Sequence, residues 1–238
     1  MASLYLDSAL SEVDASAGRV RISGDEARHA ITVARVRVGE SISVGNGRGL
    51  IAEGTVGSIA GGELEVEVAR LERIERPSPE LWLAQALAKG DRDELAIQAG
   101  TELGVSGVIP WQAERSVSRW DGAKVAKGRE RWQSIVREAS KQSIRAWVPE
   151  VAEPATTTQL AALPGLVLVL EPTATARLTD LELGEHDRIT LVVGPEGGVS
   201  PKELQTLTTH VRLGAEVLRT STAGPAALAV LSARLGRW

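Results

Sequence analysis

The strongest constraint on the fold is a series of short apolar runs separated by segments with helical patterning. The apolar runs are LWLAQALA (81–88), VSGVIPW (105–111), LVLVLE (166–171) and ITLVVG (189–194). Helices are predicted at 91–103, 128–145, 201–209 and from about 224. Strands that are apolar along their whole length and alternate with helices indicate a parallel sheet covered on both faces. The sequence therefore predicts an α/β domain over this part of the chain.

The first 74 residues follow a different pattern, that of a small β-rich unit. In ELEVEVARL, Leu64, Val66 and Val68 alternate with glutamates, as in a half-buried antiparallel strand. Other short strand candidates flank a glycine-rich turn at 45–47, and DEARHAITVARV is predicted to be one helix. The proline-containing ERPSP (75–79) is typical of a linker. We therefore predict a small β-barrel domain at 1–74 and an α/β domain at 75–238.

Composition excludes several classes of protein and site. The chain has no cysteine and a net charge of −4, so disulfides and thiolate chemistry are excluded and any basic surface must be local. The N-terminus lacks the pattern of a signal peptide, and no apolar run approaches the ~18 residues of a membrane span. The histidines are too far apart for a metal motif. We expect a cytoplasmic protein with no membrane segment and no metal.

The turn in LVVGPEGGVSPKEL (191–204) is the strongest candidate for a ligand site. Ser200, Pro201 and Glu203 form a helix start with a capping box. The glycines match neither a P-loop nor a dinucleotide-binding turn, and Glu196 would repel a phosphate. Two interpretations remain: a tight turn whose glycines serve only the chain, or a site for a ligand that is not anionic overall, such as S-adenosylmethionine.

Several longer strings occur in the chain in addition to the glycine turn. They are EARHAITVARVRVGESISV (26–44), KGDRDELAIQAGTELGV (89–105), IPWQAERSV (109–117), REASKQSIRAWVPEV (137–151) and LGAEVLRTSTA (213–223). Together with GPEGGVSPKEL they make the chain similar to the SPOUT (α/β-knot) methyltransferases. More narrowly, it resembles the RsmE-type 16S rRNA (uracil-N3)-methyltransferases. The resemblance covers nearly the whole chain, in order.

The resemblance implies a fold, a reaction and a cofactor. The fold is a C-terminal SPOUT domain, a parallel sheet with helices on both faces and a trefoil knot, preceded by a PUA-like β-barrel that binds RNA. The reaction is transfer of a methyl group from S-adenosylmethionine to N3 of a uridine in 16S rRNA of the small ribosomal subunit, carried out by a homodimer. The implied cofactor-binding residues are Leu170, Glu171, Gly194, Pro195, Glu196, Gly197, Gly198, Leu213, Gly214, Val217, Leu218 and Arg219.

Catalytic and RNA-binding residues are also implied. Arg219 is expected to stabilise the uracil anion or to hold the RNA phosphate. Glu196 and Glu171 are candidate proton acceptors, the alternative being that they only fix the cofactor. The expected RNA contacts are Arg28, Arg35, Lys89, Arg92, Arg115, Arg137, Lys141 and Arg145, the last three on one face of the predicted helix at 128–145. Gly197→Val is expected to abolish cofactor binding by filling the slot and forbidding a positive φ.

The chain departs from the family pattern near its C-terminus. The family usually reads LRTETA, whereas this chain has LRTSTA followed by Gly224-Pro225. Ser221 cannot carry the charge of a glutamate. Two alternatives follow: an RNA-binding protein of the same fold with impaired catalysis, or a methyltransferase that acts on another RNA. The substitution is also compatible with an ordinary helix start, in which Thr222 caps and Pro225 lies in the first turn.

Overall fold

A computed structural model of the protein describes residues 3–238, apart from the side chain of Asp14. The chain divides into two compact units. The first comprises the chain up to Arg76 together with Ser140–Val148, and the second comprises Pro77–Ala139 and Pro149–Trp238.

Within the described residues, the first unit contains one five-stranded mixed sheet. Its strands are β1 (Ser3–Leu6), β2 (Arg19–Ile22), β3 (Ser41–Gly45), β4 (Leu50–Ala60) and β5 (Glu63–Arg73). Their spatial order is β1-β3-β4-β5-β2, with β1 parallel to β3 and the other pairs antiparallel. Leu64 and Val66 of β5 are buried in the core of this unit, which confirms the predicted alternation.

The helical segments of the first unit are shorter than predicted. They are α1 (Glu12–Ser16), α2 (Gly24–Arg28) and a π-helical segment (His29–Val33). A single helix over DEARHAITVARV was therefore wrong in its geometry and its end. The helical segment stops before Arg35, which has φ +54°, a conformation that a helix cannot contain.

In the second unit the structure describes one six-stranded sheet in which all pairs are parallel. Its strands are β6 (Glu80–Ala86), β7 (Gly107–Trp111), β8 (Glu150–Val151), β9 (Leu166–Leu170), β10 (Arg188–Val193) and β11 (His210–Val211). Their order is β11-β9-β10-β6-β7-β8. The remaining helices are α3 (Arg92–Glu102), α4 (Ala123–Gln142), α5 (Thr157–Ala161), α6 (Pro201–Thr206) and α7 (Thr220–Arg234).

Helices cover both faces of this sheet, as predicted. Successive side chains of β6 alternate between the faces: Trp82 belongs to an apolar cluster that includes Leu160 of α5 and Leu207 beside α6. On the other face, an added Cβ at Gly224 of α7 would lie 2.9 Å from Cδ1 of Leu83. Gly224 is therefore needed for α7 to approach the sheet closely.

Among the helix boundaries that differ from the predictions, two change the interpretation of functional residues. Helix α4 ends at Gln142 and Ile144 has φ +53°, so Arg145 does not continue a helix face with Arg137 and Lys141. Helix α7 begins at Thr220, with Arg219 in the N-cap position.

Gly224 and Pro225 consequently lie inside α7 instead of at its start, and Thr222 does not cap it. Pro225 removes one helical hydrogen bond without ending the helix. By contrast, the capping box of Ser200 and Glu203 at the start of α6 is confirmed, with Pro201 in its first turn.

Across residues 3–238, no helix is both long and apolar enough to cross a membrane.

Candidate functional site

The carboxyl ends of β9, β10 and β11 converge on one cavity. Strands β9 and β10 are paired in parallel, as are β9 and β11, so the loops that follow them meet at the same edge of the sheet. The cavity has a volume of about 440 Å³, within the usual range of small-molecule sites. All of the predicted cofactor residues except Gly197 line it.

The glycine turn depends on two glycines for different reasons. Gly198 has φ +73° and its N–H donates to the Pro195 carbonyl at 2.9 Å. At Gly194 an added Cβ would lie 2.8 Å from Cγ2 of Val199. The expectation of a positive φ at Gly197 was wrong, because the turn places that conformation at Gly198. Gly197 lies instead against Arg115. A Cβ added at Gly197 would be 3.2 Å from the Cβ of Arg115.

Contacts from outside the cavity support the turn. Nη1 of Arg115 donates to the Gly197 carbonyl at 3.1 Å. The buried Glu203 carboxylate accepts from the Ser200 N–H at 2.9 Å and from the Glu114 N–H at 2.8 Å. These bonds join the start of α6 to the loop after β7. Arg115, which we predicted to be an RNA contact, therefore has a structural bond to the turn itself.

Thr220 connects the turn to the centre of the sheet and was not found from the sequence. Its hydroxyl donates to the Gly194 carbonyl at 2.9 Å and accepts from Nε2 of Gln85 at 2.8 Å. Both side chains are buried. A glutamine within the apolar run LWLAQALA was the available signal, since a buried polar group needs a partner.

Glu196 lies at the wall of the cavity and is paired with Arg92. Its Oε1 accepts from Nη1 of Arg92 at 2.8 Å and from the Lys89 N–H at 3.4 Å. Burial raises the pKa of Glu196. Its own backbone N–H, Arg92 and the Lys89 N–H lower it by more, so the net pKa is below the usual value. A carboxylate stabilised in this way is a weak base, which argues against Glu196 as the proton acceptor. Arg92, predicted to contact RNA, lines the same cavity.

The rest of the cavity combines apolar walls with charges of both signs. Arg219 is exposed at the start of α7, and among the described residues its side chain has no hydrogen-bond or ion-pair partner. Glu171 accepts from the hydroxyl and N–H of Thr173. The apolar walls are Leu170, Val193, Val199, Val211, Leu213, Val217 and Leu218. Apolar walls beside the carboxylates of Glu171, Glu196 and Glu216 suit a ligand with an apolar body and a positive charge.

The other predicted RNA contacts belong to both units: Arg28, Arg35, Lys141 and Arg145 to the first, and Lys89 and Arg137 to the second. Arg28 forms an ion pair with Asp25, while Arg35 and Lys89 are exposed. Arg137 is half-buried, as is Arg145, where burial lowers the pKa to about 10.

Lys141 pairs with Glu26 at 3.3 Å, and both side chains are mostly buried. This pairing corrects the expectation that Lys141 belongs to an open basic face. The part of the chain that the structure describes contains no cluster of acidic and histidine side chains suited to a metal ion.

A family model described as an RNA methyltransferase domain matches residues 75–232. A second model, described as an RNA methyltransferase PUA domain, matches residues 22–69. The chain belongs to the RNA methyltransferase family. The family matches confirm the predicted SPOUT-type α/β fold with an N-terminal PUA-like domain.

Relatives with assigned names agree with this family. The chain is 42% identical over 228 residues to ribosomal RNA small subunit methyltransferase E of Mycobacterium bovis, covering 91% of this chain and 87% of that protein. It is 33% identical to the Bacillus subtilis protein of the same name, covering 89% and 88%. The crystal structure of the Neisseria gonorrhoeae ribosomal RNA small subunit methyltransferase E, bound to S-adenosyl methionine, superposes with a TM-score of 0.84. That structure is 28% identical in sequence, and the match covers 98% of each chain.

Proposed function

We propose that the protein transfers the methyl group of S-adenosylmethionine to N3 of a uridine in 16S rRNA of the small ribosomal subunit. The observation that carries the proposal is the cavity at the ends of β9, β10 and β11, in a chain that belongs to the RNA methyltransferase family. Relatives named ribosomal RNA small subunit methyltransferase E cover most of the chain, and one was solved with this cofactor.

The residues present fit S-adenosylmethionine. The apolar walls and the backbone of the glycine turn are suited to adenosine, because Gly194 and Gly198 line the cavity and carry no side chain. Glu171, Glu196 and Glu216 can face the positive sulfonium and ammonium groups. When bound, the cofactor supplies an activated methyl group. The predicted cofactor residues retain that role in our proposal, with Gly197 supporting the turn from outside the cavity.

The reaction forms a bond between the methyl carbon and N3 of the uracil, breaks the sulfur–carbon bond and releases the N3 proton. Arg219 is placed in our proposal beside the uracil oxygens, where a cation stabilises the negative charge that develops as the proton leaves. Glu196 holds Arg92 and supplies negative charge to the wall. The lowered pKa of Glu196 makes proton transfer to water or to another group the simpler route.

Further features of the proposal are the RNA surface, the knot and the dimer. We assign RNA binding to the predicted N-terminal domain at 1–74, in which Arg28 and Arg35 are exposed. A trefoil knot is supported by the loop after β9. Its Ala176 carbonyl accepts from the Arg212 N–H, and its Leu178 N–H donates to the Arg212 carbonyl, each at 2.9 Å.

A homodimer is supported by exposed apolar side chains beside the cavity, Val217 and Leu218. A location in the cytoplasm stays a prediction.

Calorimetry and a methylation assay test the proposal. We expect saturable S-adenosylmethionine binding in the micromolar range, about −8 kcal/mol, and an N3-methylated uridine in small subunits that lack this modification, detected by mass spectrometry. RNA binding without cofactor binding would instead support the catalytically impaired alternative. Methylation of a different RNA would support the other alternative, a methyltransferase of this fold that acts on another RNA. Absence of both binding and methylation would contradict the proposal.

A further inference from the structure

A second cavity in the Pro77–Ala139 part of the second unit has no role in the site described above. Its volume is about 300 Å³. It lies between the turn after β6, the loop at 118–120 and the first half of α4. The residues that define its chemistry are Trp120, Lys124, Lys127 and Arg131, together with the carboxylates of Asp93 and Glu94.

Trp120 is held in a fixed orientation at the wall of this cavity. Its backbone N–H donates to Oε1 of Gln112 at 3.3 Å, and its carbonyl accepts from Nε2 of Gln112 at 3.2 Å. The ring meets the buried Trp132 edge to face, with centroids 5.2 Å apart. An added Cβ at Gly128 would lie 2.5 Å from Cε2 of Trp120, so Gly128 lets the ring pack on α4. The ring is half-buried and lines the cavity.

Of the charged side chains that line the cavity, two lysines have no partner among the described residues. Arg131 is neutralised by Glu94, with Nη2 and Oε2 2.8 Å apart. Asp93 is buried and accepts from the backbone N–H groups of Ala88 and Glu94. Lys124 and Lys127 are exposed, and neither side chain has a hydrogen bond or ion pair with any residue that the structure describes. Two free cations beside an indole ring match the chemistry of a nucleotide, a flat base and a phosphate.

The two cavities share one turn of the chain. Ala88 and Gly90 line the second cavity, whereas Arg92 lines the first. The Lys89 N–H between them donates to Glu196 of the first cavity. The Cα atoms of Gly90 and Arg92 are at most about 7.6 Å apart, two peptide units. A nucleotide in the second cavity would therefore be close in the RNA strand to a uridine in the first.

We propose that the second cavity is a subsite for a single unpaired nucleotide of the substrate RNA, with the base against Trp120 and the phosphate on Lys124 and Lys127. The inference rests on the proposed function for the identity of the RNA. The subsite would hold a nucleotide near the target uridine and so keep the strand in register for methyl transfer.

The main test compares RNA binding by single variants of the full chain. The probe is a labelled single-stranded fragment of 16S rRNA that carries the target uridine, titrated at several salt concentrations. We expect Trp120→Ala to raise the Kd for this RNA about tenfold, because the base loses its stacking surface. Trp120→Phe should stay within about threefold of the wild type. Circular dichroism and thermal melting check that each variant is folded.

The lysines are tested by their effect on salt dependence. The Lys124→Ala, Lys127→Ala double variant should raise the Kd and flatten the slope of log Kd against log salt by about 0.7, the contribution of one neutralised phosphate on a single strand. The single variant Lys127→Ala should lose about half of that slope. Lys202→Ala, another exposed lysine of the second unit, is the matched control and should leave the slope unchanged.

Calorimetry with S-adenosylmethionine separates this inference from the proposed function. The subsite variants should keep wild-type cofactor affinity. If the wild type fails to methylate small subunits, the proposed function is contradicted, while the RNA titrations still report on the subsite. Unchanged RNA affinity and salt slope in the Trp120 and lysine variants would overturn the subsite, as would an equal loss in Lys202→Ala.

Discussion

The glycine turn at 194–198 and the end of α4 each carry an ion pair, but the two pairs differ in their exposure to water. At the turn, the side chains of Arg92 and Glu196 are 45% and 29% exposed. At the end of α4, Lys141 and its partner Glu26 are only 11% and 15% exposed. An exposed pair adds little stability and remains available to a ligand, whereas breaking a buried pair leaves an uncompensated charge.

A basic residue in a family motif can therefore be buried in an ion pair instead of facing the substrate. Lys141 and Arg92 both looked like RNA contacts in the sequence. In the structure, Lys141 is mostly buried in the first unit, and Arg92 lines the cavity at the ends of β9, β10 and β11.

The largest effect should come from breaking the buried pair. We expect Lys141→Met to lower the free energy of unfolding by about 3 kcal/mol, because the mostly buried Glu26 carboxylate loses its ion pair with Lys141. Urea denaturation measures the change. Lys124→Met, on the exposed side of the same helix, is the matched control and should change stability by less than about 0.5 kcal/mol. An equal loss of unfolding free energy in the two variants would show that the buried ion pair does not stabilise the fold.

A smaller effect is expected where a buried neutral hydroxyl supports the turn. Thr220→Val should cost about 2 kcal/mol of stability, because the Gln85 amide and the Gly194 carbonyl both lose a partner. Cofactor affinity, measured by calorimetry, should fall about tenfold as the turn loosens. Thr220→Ser keeps the hydroxyl and should retain most of the stability and most of the cofactor affinity of the wild type. A cofactor affinity that stays at the wild-type value would show that Thr220 does not position the turn.

Within the turn, two adjacent glycines should respond differently. Gly198→Ala should cost about 1 kcal/mol, because alanine is strained at φ +73°. Gly198 also lines the cavity, so cofactor affinity should fall several-fold. Gly197→Ala has no such strain and should cost a few tenths of a kcal/mol, with the added methyl displacing Arg115 slightly. The reverse order would mean that Gly197 is the critical residue, as the sequence suggested.

The smallest effect on stability should come from the exposed pair. Glu196→Gln should change the free energy of unfolding by less than about 0.5 kcal/mol, although cofactor affinity should fall because the wall loses a negative charge. The folded-state pKa of Glu196 is below its ordinary value of 4.5. Its stabilising contribution is therefore present above pH 4.5 and is lost as the pH falls through the lowered pKa.

The pH dependence gives a direct check on this last prediction. The difference in unfolding free energy between the wild type and Glu196→Gln should be constant at neutral pH and shrink towards zero in acid. A difference that grows as the pH falls would contradict the direction of the pKa shift.

Prediction from the sequence succeeded where a pattern is local. The strands β6, β7, β9 and β10 were identified because each is a short apolar run bounded by turn or helix signals. The capping box of α6 was identified because Ser200 and Glu203 lie within one turn of the chain. The predicted cofactor residues came from a family resemblance, and their convergence on one cavity follows from the parallel order of the strands that precede them.

Prediction failed where the outcome depends on a partner far along the chain. Helix α7 starts at Thr220 instead of about 224, because Thr220 is fixed by Gln85 and Gly194, 135 and 26 residues away. Gly224, predicted to lie at the start of this helix, lies inside it, where α7 packs tightly on Leu83.

The sequence by itself determined the α/β character of the longer part of the chain, the glycine turn and the membership of a methyltransferase family, because those depend on residue spacing within a few turns or strands. Only the tertiary structure decided which charges are open to a ligand. Arg92, Lys141 and Lys124 each carry one positive charge, and the sequence alone does not distinguish them. Whether such a charge is paired or buried depends on Glu196 and Glu26, which the fold brings from more than 100 positions away.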